Sequence, residues 1–328
     1  MTKYYAGQID GILYSSSGNA IYNFVSAQSG NTELQKKGTG YHGSGSERTA
    51  YLLCMLWMKY ATKNSQKVFQ GCTGFNIQTK VVQTGENVNY VVIPTAQANS
   101  FYVGTTVSIG DATGHTDNLD RGQAYMRNIA DKVKITAIEA ISGTDNSRVY
   151  VGKQNMTITE DTYISSMPLH AGQTDKVLGV DGYVKNDGKH AFKLGGIEDM
   201  VGVYYISMNE LWNKTTATTV DYYVRGTAAW SSTATNWTKI ATVDLETTDD
   251  FWIGDIDIDL SAGVIWFKSK GSGDSVGVGD RQYNGGDGTG WREALRRGYL
   301  GNGSPAGFSF ANLWVGVALA SWYFALCV

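Results

Sequence analysis

Residues 291–328, WREALRRGYLGNGSPAGFSFANLWVGVALASWYFALCV, constrain the fold more than any other stretch. Two kinds of position alternate in it. Gly298, Gly301, Gly303, Pro305 and Gly307 can turn the chain tightly, and Asn302 tolerates such turns too. Between them stand Tyr299, Leu300, Phe308, Phe310, Trp314, Trp322, Tyr323 and Phe324. A glycine-built frame carrying large side chains suits a binding surface on fixed loops. It does not suit a catalytic site: the stretch holds no His, a single acid, Glu293, and a single thiol, Cys327.

Composition narrows the class. The chain has 328 residues, enough for one large core or two modest ones. Forty glycines against three prolines predict many turns and little helix, and twenty tyrosines with nine tryptophans favour sheets and recognition surfaces. The net charge of −3 comes without a block of like charges, whereas a nucleic-acid binder needs a basic stripe, so no nucleic acid is expected as partner. Cys54, Cys72 and Cys327 give neither a disulfide framework nor a C-x-x-C metal pair, and fit formation in a reducing compartment such as the bacterial cytosol. His42, His115, His170 and His190 suggest no Ser-His-Asp or Cys-His set. No catalytic residue, metal or cofactor is expected. Residues 1–11 lack the apolar core of a signal peptide. The longest apolar runs, 51–58 and 315–328, fall short of the roughly 20 residues a spanning helix needs, so no membrane insertion is expected.

Along the chain, residues 4–30 read as strands and turns, with Ser15-Ser16-Ser17-Gly18-Asn19 as a turn cluster. Ser44 followed by Glu47 matches a capping box, with Ser46 as the alternative cap, and a helix is predicted over 47–62. That helix is apolar almost all round and is expected to be buried on most sides. His42, just before it, is expected to be a structural hydrogen-bonding residue, since no second His lies at metal-ligand spacing. Residues 85–178 hold no Trp and no Cys. VNYVVI, FYVGTTVSI, VKITAIEAI and SRVYV read there as strands, Gly143-Thr144-Asp145-Asn146 as a hairpin turn, and the whole as a β-rich insert of about five strands. GDATG at 110–114 lacks the Gly-Lys-Ser/Thr that would grip phosphate and reads as a turn. Eight of the nine tryptophans lie at or beyond Trp212, which puts the aromatic core in the C-terminal part. Asp255, Asp257 and Asp259 alternate with aliphatics and read as the solvated face of a strand, since the Gly and Glu of a calcium loop are replaced by Leu260 and Trp266. Residues 271–290 hold eight glycines, a composition that would be floppy in a linker.

Three separated stretches carry a resemblance. They are Tyr41-His42 with KYATKNSQKVFQGCTG from Lys59, then FKLGGIEDMVGVYYISMNELW from Phe192, and the terminal WREALRRG with GNG-x-PAGF and a late Trp. Together they resemble the variable proteins of diversity-generating retroelements, which have a C-type lectin fold of the formylglycine-generating-enzyme type; phage tropism determinants and related virion proteins belong to that family. The resemblance implies an α+β, C-type lectin-like domain made of residues 1–84 and 179–328, interrupted by the β-rich insert at 85–178, with a variable, ligand-binding region at 291–328. It implies that Glu198 is the structural acid of the Gly196-Ile197-Glu198-Asp199 turn and that 271–290 cross the surface beside the variable region. In that family adenine-rich Asn codons are altered at random, and they can become Tyr, Ser, Leu, Val, Ala or Phe but not Trp. The matching positions are Tyr299, Leu300, Ser309, Val315, Leu319, Ser321, Tyr323 and Phe324. Trp322 reads as frame, and Trp314 stays open as an additional contact. The tail, Ala325-Leu326-Cys327-Val328, departs from the family's Gly-Arg ending.

The function implied is that of a phage-encoded receptor-binding protein carried on the virion and made in the host cytoplasm, not an enzyme. The partners implied are a bacterial host surface protein or glycan and other virion proteins, with further copies of the chain as an open possibility. The alternative is a non-diversified virion structural or decoration protein on the same scaffold. The oxidase-like chemistry for which the fold is named needs a close cysteine pair, which the chain lacks.

Overall fold

The computed structural model describes residues 1–179 and 181–328. It is a mixed α and β protein in which strands dominate. The chain forms two compact units, residues 1–74 with 171–328, and residues 75–170.

The second unit is built of strands, more than the five expected. Six form an antiparallel sheet in the order Gln78–Lys80, Thr162–Ser166, Thr106–Asp111, Ala130–Ala140, Asn146–Val151 and Tyr90–Pro94. The Val82 N–H donates to the Val92 carbonyl at 2.9 Å and Gln83 bridges Val92, which joins the two edges and curls the sheet into a barrel. Val91, Ile93, Val107, Ile109, Val149 and Ile164 fill its interior. Because Gln78–Lys80 pairs with Thr162–Ser166, this unit begins before residue 85. The turn at 110–114 is closed by the Asp111 carboxylate, which accepts from the Thr113 N–H at 2.9 Å and its hydroxyl at 2.7 Å.

The first unit centres on one strand, Tyr204–Lys214, buried along nearly its whole length. It pairs with Thr219–Val224 on one side and Gly290–Arg296 on the other, within a nine-stranded sheet. The last strand, Phe324–Ala325, runs parallel to its start. A register shift between Ile206 and Leu211 lets the strand serve two cores. Trp212 packs with Phe192, Ile265, Phe308 and the helix residues Leu52, Leu53 and Leu56. Tyr204, Ile206 and Met208 pack with Leu34, Phe310, Phe324 and Leu326.

The predicted helix spans Glu47–Tyr60 and ends at Ala61, whose φ of 51° is left-handed. Ser46, not Ser44, is its N-cap, and the Glu47 carboxylate accepts from the Gly45 N–H at 2.7 Å. As expected, it is covered on most sides over residues 47–57, where no side chain is exposed and where it packs against the strands Val264–Gly271 and Phe192–Leu194 of two different sheets; only its last turn opens to solvent, with Met58 73% exposed. The N-terminal hairpin joins Gly7–Ile9 to Ile12–Tyr14 through Asp10 and Gly11, both at positive φ. Residues 15–19 instead bring Ile21 back beside Gly7.

A second helix, Ala27–Gln35, lies where strands and turns were expected. Gly30, Asn31 and Thr32 are poor helix formers, so propensity gives no signal. Packing and caps stabilise it. Ser26 and Ser29 form a reciprocal cap, and Gly30 admits Leu326 so closely that an added Cβ would lie 2.7 Å from that side chain.

The helix Glu47–Tyr60, the hairpin Phe192–Leu194 to Ile197–Asp199, and the strand Gly290–Arg296 meet at one buried carboxylate. Asp199 faces Arg297 Nε at 3.1 Å and Arg48 Nε at 3.5 Å, all three side chains fully buried. Arg297 also donates to the Thr49 hydroxyl at 2.8 Å, and Arg48 to the Thr2 and Glu198 carbonyls at 2.7 and 2.6 Å. Glu198, expected to brace its own turn at 196–199, lies in a strand instead and ties down a different segment, accepting from the Gly172 and Thr174 N–H groups at 2.7 and 2.8 Å. Removing one member of such a buried ion group strands the others. Asp199→Asn is therefore expected to cost about 3–5 kcal/mol in a denaturant titration. A loss below about 1 kcal/mol, the range of exposed pairs, would show that the group does not hold the frame.

Candidate ligand-binding cup

A cavity of about 490 Å³ opens where the C-terminal segment returns to the central strand. Its floor is Tyr204, Phe324 and Asn312, and its walls and rim are Tyr283, Tyr299, Trp314, Val315, Leu319 and Tyr323. The tyrosines support one another. Tyr204 and Tyr299 lie near parallel with ring centres 6.1 Å apart, Tyr299 and Tyr323 are 5.1 Å apart, and Phe324 meets Tyr204 edge-on at 5.6 Å. The Asn312 amide donates to the Tyr204 hydroxyl at 3.1 Å, and its Oδ1 accepts from the Trp314 N–H at 2.7 Å. Burial pushes the Tyr204 phenol well above its ordinary range, with the Asn312 bond drawing it partly back. No acidic or basic side chain lines the cup.

Backbone turns set each wall. Arg297 and Gly298 both have positive φ, 82° and 77°, and Tyr299 follows them directly. Asn302 Oδ1 accepts from the Tyr299 N–H at 2.7 Å, and a Cβ on Gly298 would lie 2.9 Å from that oxygen and 2.8 Å from Ala306 Cβ. The glycine-rich stretch at 284–286 is pinned. Lys214 Nζ donates to the Asn284 carbonyl at 2.6 Å and to the Gly286 carbonyl, and Asn284 donates to the Thr247 and Asp249 carbonyls. This anchors Tyr283, whose strand Arg281–Tyr283 runs parallel to Ala311–Asn312.

Of the positions expected to vary, Tyr299, Val315, Leu319, Tyr323 and Phe324 come together on the cup, and Trp314 joins them. Trp314 is 61% and Leu319 51% exposed. Phe324 is a buried floor residue, because its backbone is paired to Tyr204. Leu300 and Ser309 do not reach the cup. Tyr299 bridges Gly202, and Leu300 stands in the turn that the Asn302 N–H closes on the Tyr299 carbonyl at 3.0 Å, with its side chain fully buried. Ser309 is held inside by its N–H, which donates to the buried Asp280 at 2.7 Å. Ser321 contributes backbone: its carbonyl accepts from Phe24 and Phe324 at 3.0 and 3.1 Å, and it does not line the cavity. Trp322 is buried, as a frame residue should be. Tyr204, Tyr283 and Asn312 escaped sequence reasoning. The signal for Tyr204 was the paired tyrosine opening a strand, and for Tyr283 the aromatic inside the glycine run.

Among the described residues no group of three or more His, Cys, Asp or Glu is placed to hold a metal. Asp255 pairs with Lys63 at 2.6 Å, and Asp257 with Lys268 at 3.3 Å. His42 is exposed, and its Nδ1 makes a long local hydrogen bond, 3.4 Å, to the neighbouring Gly43 carbonyl. Burial pushes the Cys327 thiol up to about 11 and raises Cys72 further. No protein-family model, curated protein or solved structure matches this chain.

Behind the cup, Glu293 joins the terminal strand to the first helix. Its Oε1 accepts from the Ala27 N–H at 2.7 Å, and its own N–H donates to the Val315 carbonyl at 3.2 Å. Burial pushes the carboxyl from 4.5 up to about 9, with the Ala27 bond drawing it partly back. An acid raised on folding holds its proton more tightly folded than unfolded. Its contribution is therefore complete below about pH 4.5 and is lost as pH rises through about 9. Glu293→Gln keeps the acceptor without the charge. It is expected to raise Tm near pH 8, to change it little near pH 4.5, and to flatten the slope between them. A slope equal to wild type would contradict a protonated Glu293.

Proposed function

We propose that this chain is a phage-encoded ligand-binding protein of the kind diversified by retroelements, with a C-type lectin-like domain of the formylglycine-generating-enzyme type. It is carried on the virion and presents the aromatic cup to a protein or glycan on the bacterial host surface. The observation that carries the reading is the convergence of Tyr299, Val315, Leu319 and Tyr323, spread over the terminal segment, on one cavity beside the exposed Trp314. Aromatic walls supply large contact area at low entropic cost, and an uncharged lining selects neutral, partly apolar groups. The lining of tyrosines, Trp314, Val315 and Leu319 supports binding as its task.

Exposed Trp314 and Leu319 also fit a second reading, a virion structural or decoration protein whose cup is covered by a neighbouring subunit. Size measurement in solution separates the two: a monomer with an open cup favours display, and a stable assembly that buries Trp314 favours the structural role.

Three tests bear on the leading reading. Sibling genes are expected to differ at the codons for residues 299, 315, 319 and 323, at adenines of a nearby template repeat, with a reverse transcriptase gene alongside. Substitutions spread evenly over 291–328 would contradict it. Trp314→Ala and Leu319→Ala are expected to weaken adsorption to bound bacterial cells by about tenfold or more while shifting stability by no more than about 0.5 kcal/mol. Adsorption should also survive an approximately tenfold rise in salt, since no charge lines the cup.

A further inference from the structure

A second cavity in the same unit, about 400 Å³, lies between the loop at 39–42 and the turn at 225–229. We propose that it binds an oxyanion, a carboxylate or phosphate group, seated on the Arg225 guanidinium with Thr39, His42 and Thr227 around it. This site is independent of the cup and of the function proposed for the cup.

An unmatched cation marks the site. Arg225 is only 8% exposed, and its Nη1 is shielded from solvent and has no hydrogen-bond partner in the chain. Arg48 and Arg297 face Asp199, and Arg296 faces Glu210 at 2.9 Å. Among the described residues Arg225 has no carboxylate within ion-pair distance. Burial lowers its pKa, and no neighbouring charge acts on it. A buried charge is tolerated when something pairs with it.

The guanidinium is held in place. Its Nε donates to the Ala228 carbonyl at 2.7 Å, and the Arg225 N–H donates to the Asn209 carbonyl at 2.9 Å. The Trp237 indole N–H fixes the turn by donating to the Ala229 carbonyl at 2.9 Å. The side-chain bond uses Nε alone; Nη1 is unpartnered but closed to solvent, and Nη2, also without a partner among the described residues, is the nitrogen left to meet an anion. Opposite, Gly43 locks the loop carrying His42, because a Cβ there would lie 2.5 Å from Met208 Cγ. Gly40 and Gly226 line the cavity with open space where a Cβ would stand, which leaves room for a small anion. Guanidinium N–H groups flanked by hydroxyls and an imidazole are the donors an oxyanion requires.

The test is thermal unfolding of the full chain at constant ionic strength, with inorganic phosphate, acetate or chloride as the added anion. Phosphate or acetate is expected to raise Tm along a one-site saturation curve, beyond what chloride does. Arg225→Met should abolish that rise. His42→Ala and Thr227→Val, on the open rim, should fold like wild type and weaken the apparent affinity by about tenfold or more, which decides the matter if Arg225→Met does not fold. Acetate alone acting would point to the carboxylate of a protein partner, and phosphate alone to a phosphate group. No rise beyond chloride, or the same rise in wild type and in the Thr227→Val and His42→Ala variants, would overturn the proposal.

Discussion

Asp199 lies between two guanidinium groups in a part of the molecule closed to water, and the positions of three separate segments depend on that contact. Arg48 belongs to the first turn of the long helix, Asp199 ends the short hairpin, and Arg297 follows the strand Gly290–Arg296. A buried ion group gains little over apolar packing of the same volume, but each member is costly to leave alone. The group therefore acts as a specificity device: it penalises any arrangement in which one segment is out of place. Arg296 repeats the pattern one residue earlier, paired with Glu210 and lying over Trp212 at 4.7 Å.

From this contact the geometry runs outward to the cup. Fixing the Arg297 side chain fixes a backbone held at φ 82°, and Gly298 continues the same left-handed turn. Tyr299 therefore leaves the turn in one direction only, towards Tyr204 and Tyr323. Tyr283 is placed by Lys214 and Asn284, and Phe324 by its pairing with Tyr204. Frame and surface are thus interleaved residue by residue: Tyr299 faces the cup while Leu300 is buried, and Tyr323 faces it while Trp322 is buried. Such a division lets the exposed side chains change without disturbing what orients them.

Much of the frame was legible in the sequence, for identifiable reasons. The helix beginning at Glu47 announced itself through apolar spacing, and the crowding of aromatics at the carboxyl end through composition alone, whereas the turn expected at Gly196-Ile197-Glu198-Asp199 falls at Gly195-Gly196 and Ile197–Asp199 is a strand. The helix Ala27–Gln35 was not legible, because its stability comes from Leu326, Glu293 and its serine cap, which are tertiary or short-range polar features that periodicity does not register. Leu300 and Ser309 misled for a related reason. Residue type said that they could be displayed, but the turn that Asn302 closes on Tyr299 and a buried carboxylate at Asp280 decide that they are not. Tyr204 and Tyr283 come from strands distant in sequence, and only the folded chain places them beside the tail. The unpaired Arg225 has no sequence signature, since what distinguishes it is a missing partner.

The most direct measurement is a saturation scan of residues 291–328 read out by resistance to proteolysis, which reports folding without reference to any ligand. If a fixed frame carries interchangeable side chains, then Tyr299, Trp314, Val315, Leu319 and Tyr323 will accept most residue types with the fold retained, whereas Arg297, Gly298, Leu300, Ser309, Trp322 and Phe324 will not. Equal intolerance at both sets would contradict the account, because the cup would then be interior packing and not a surface built to vary.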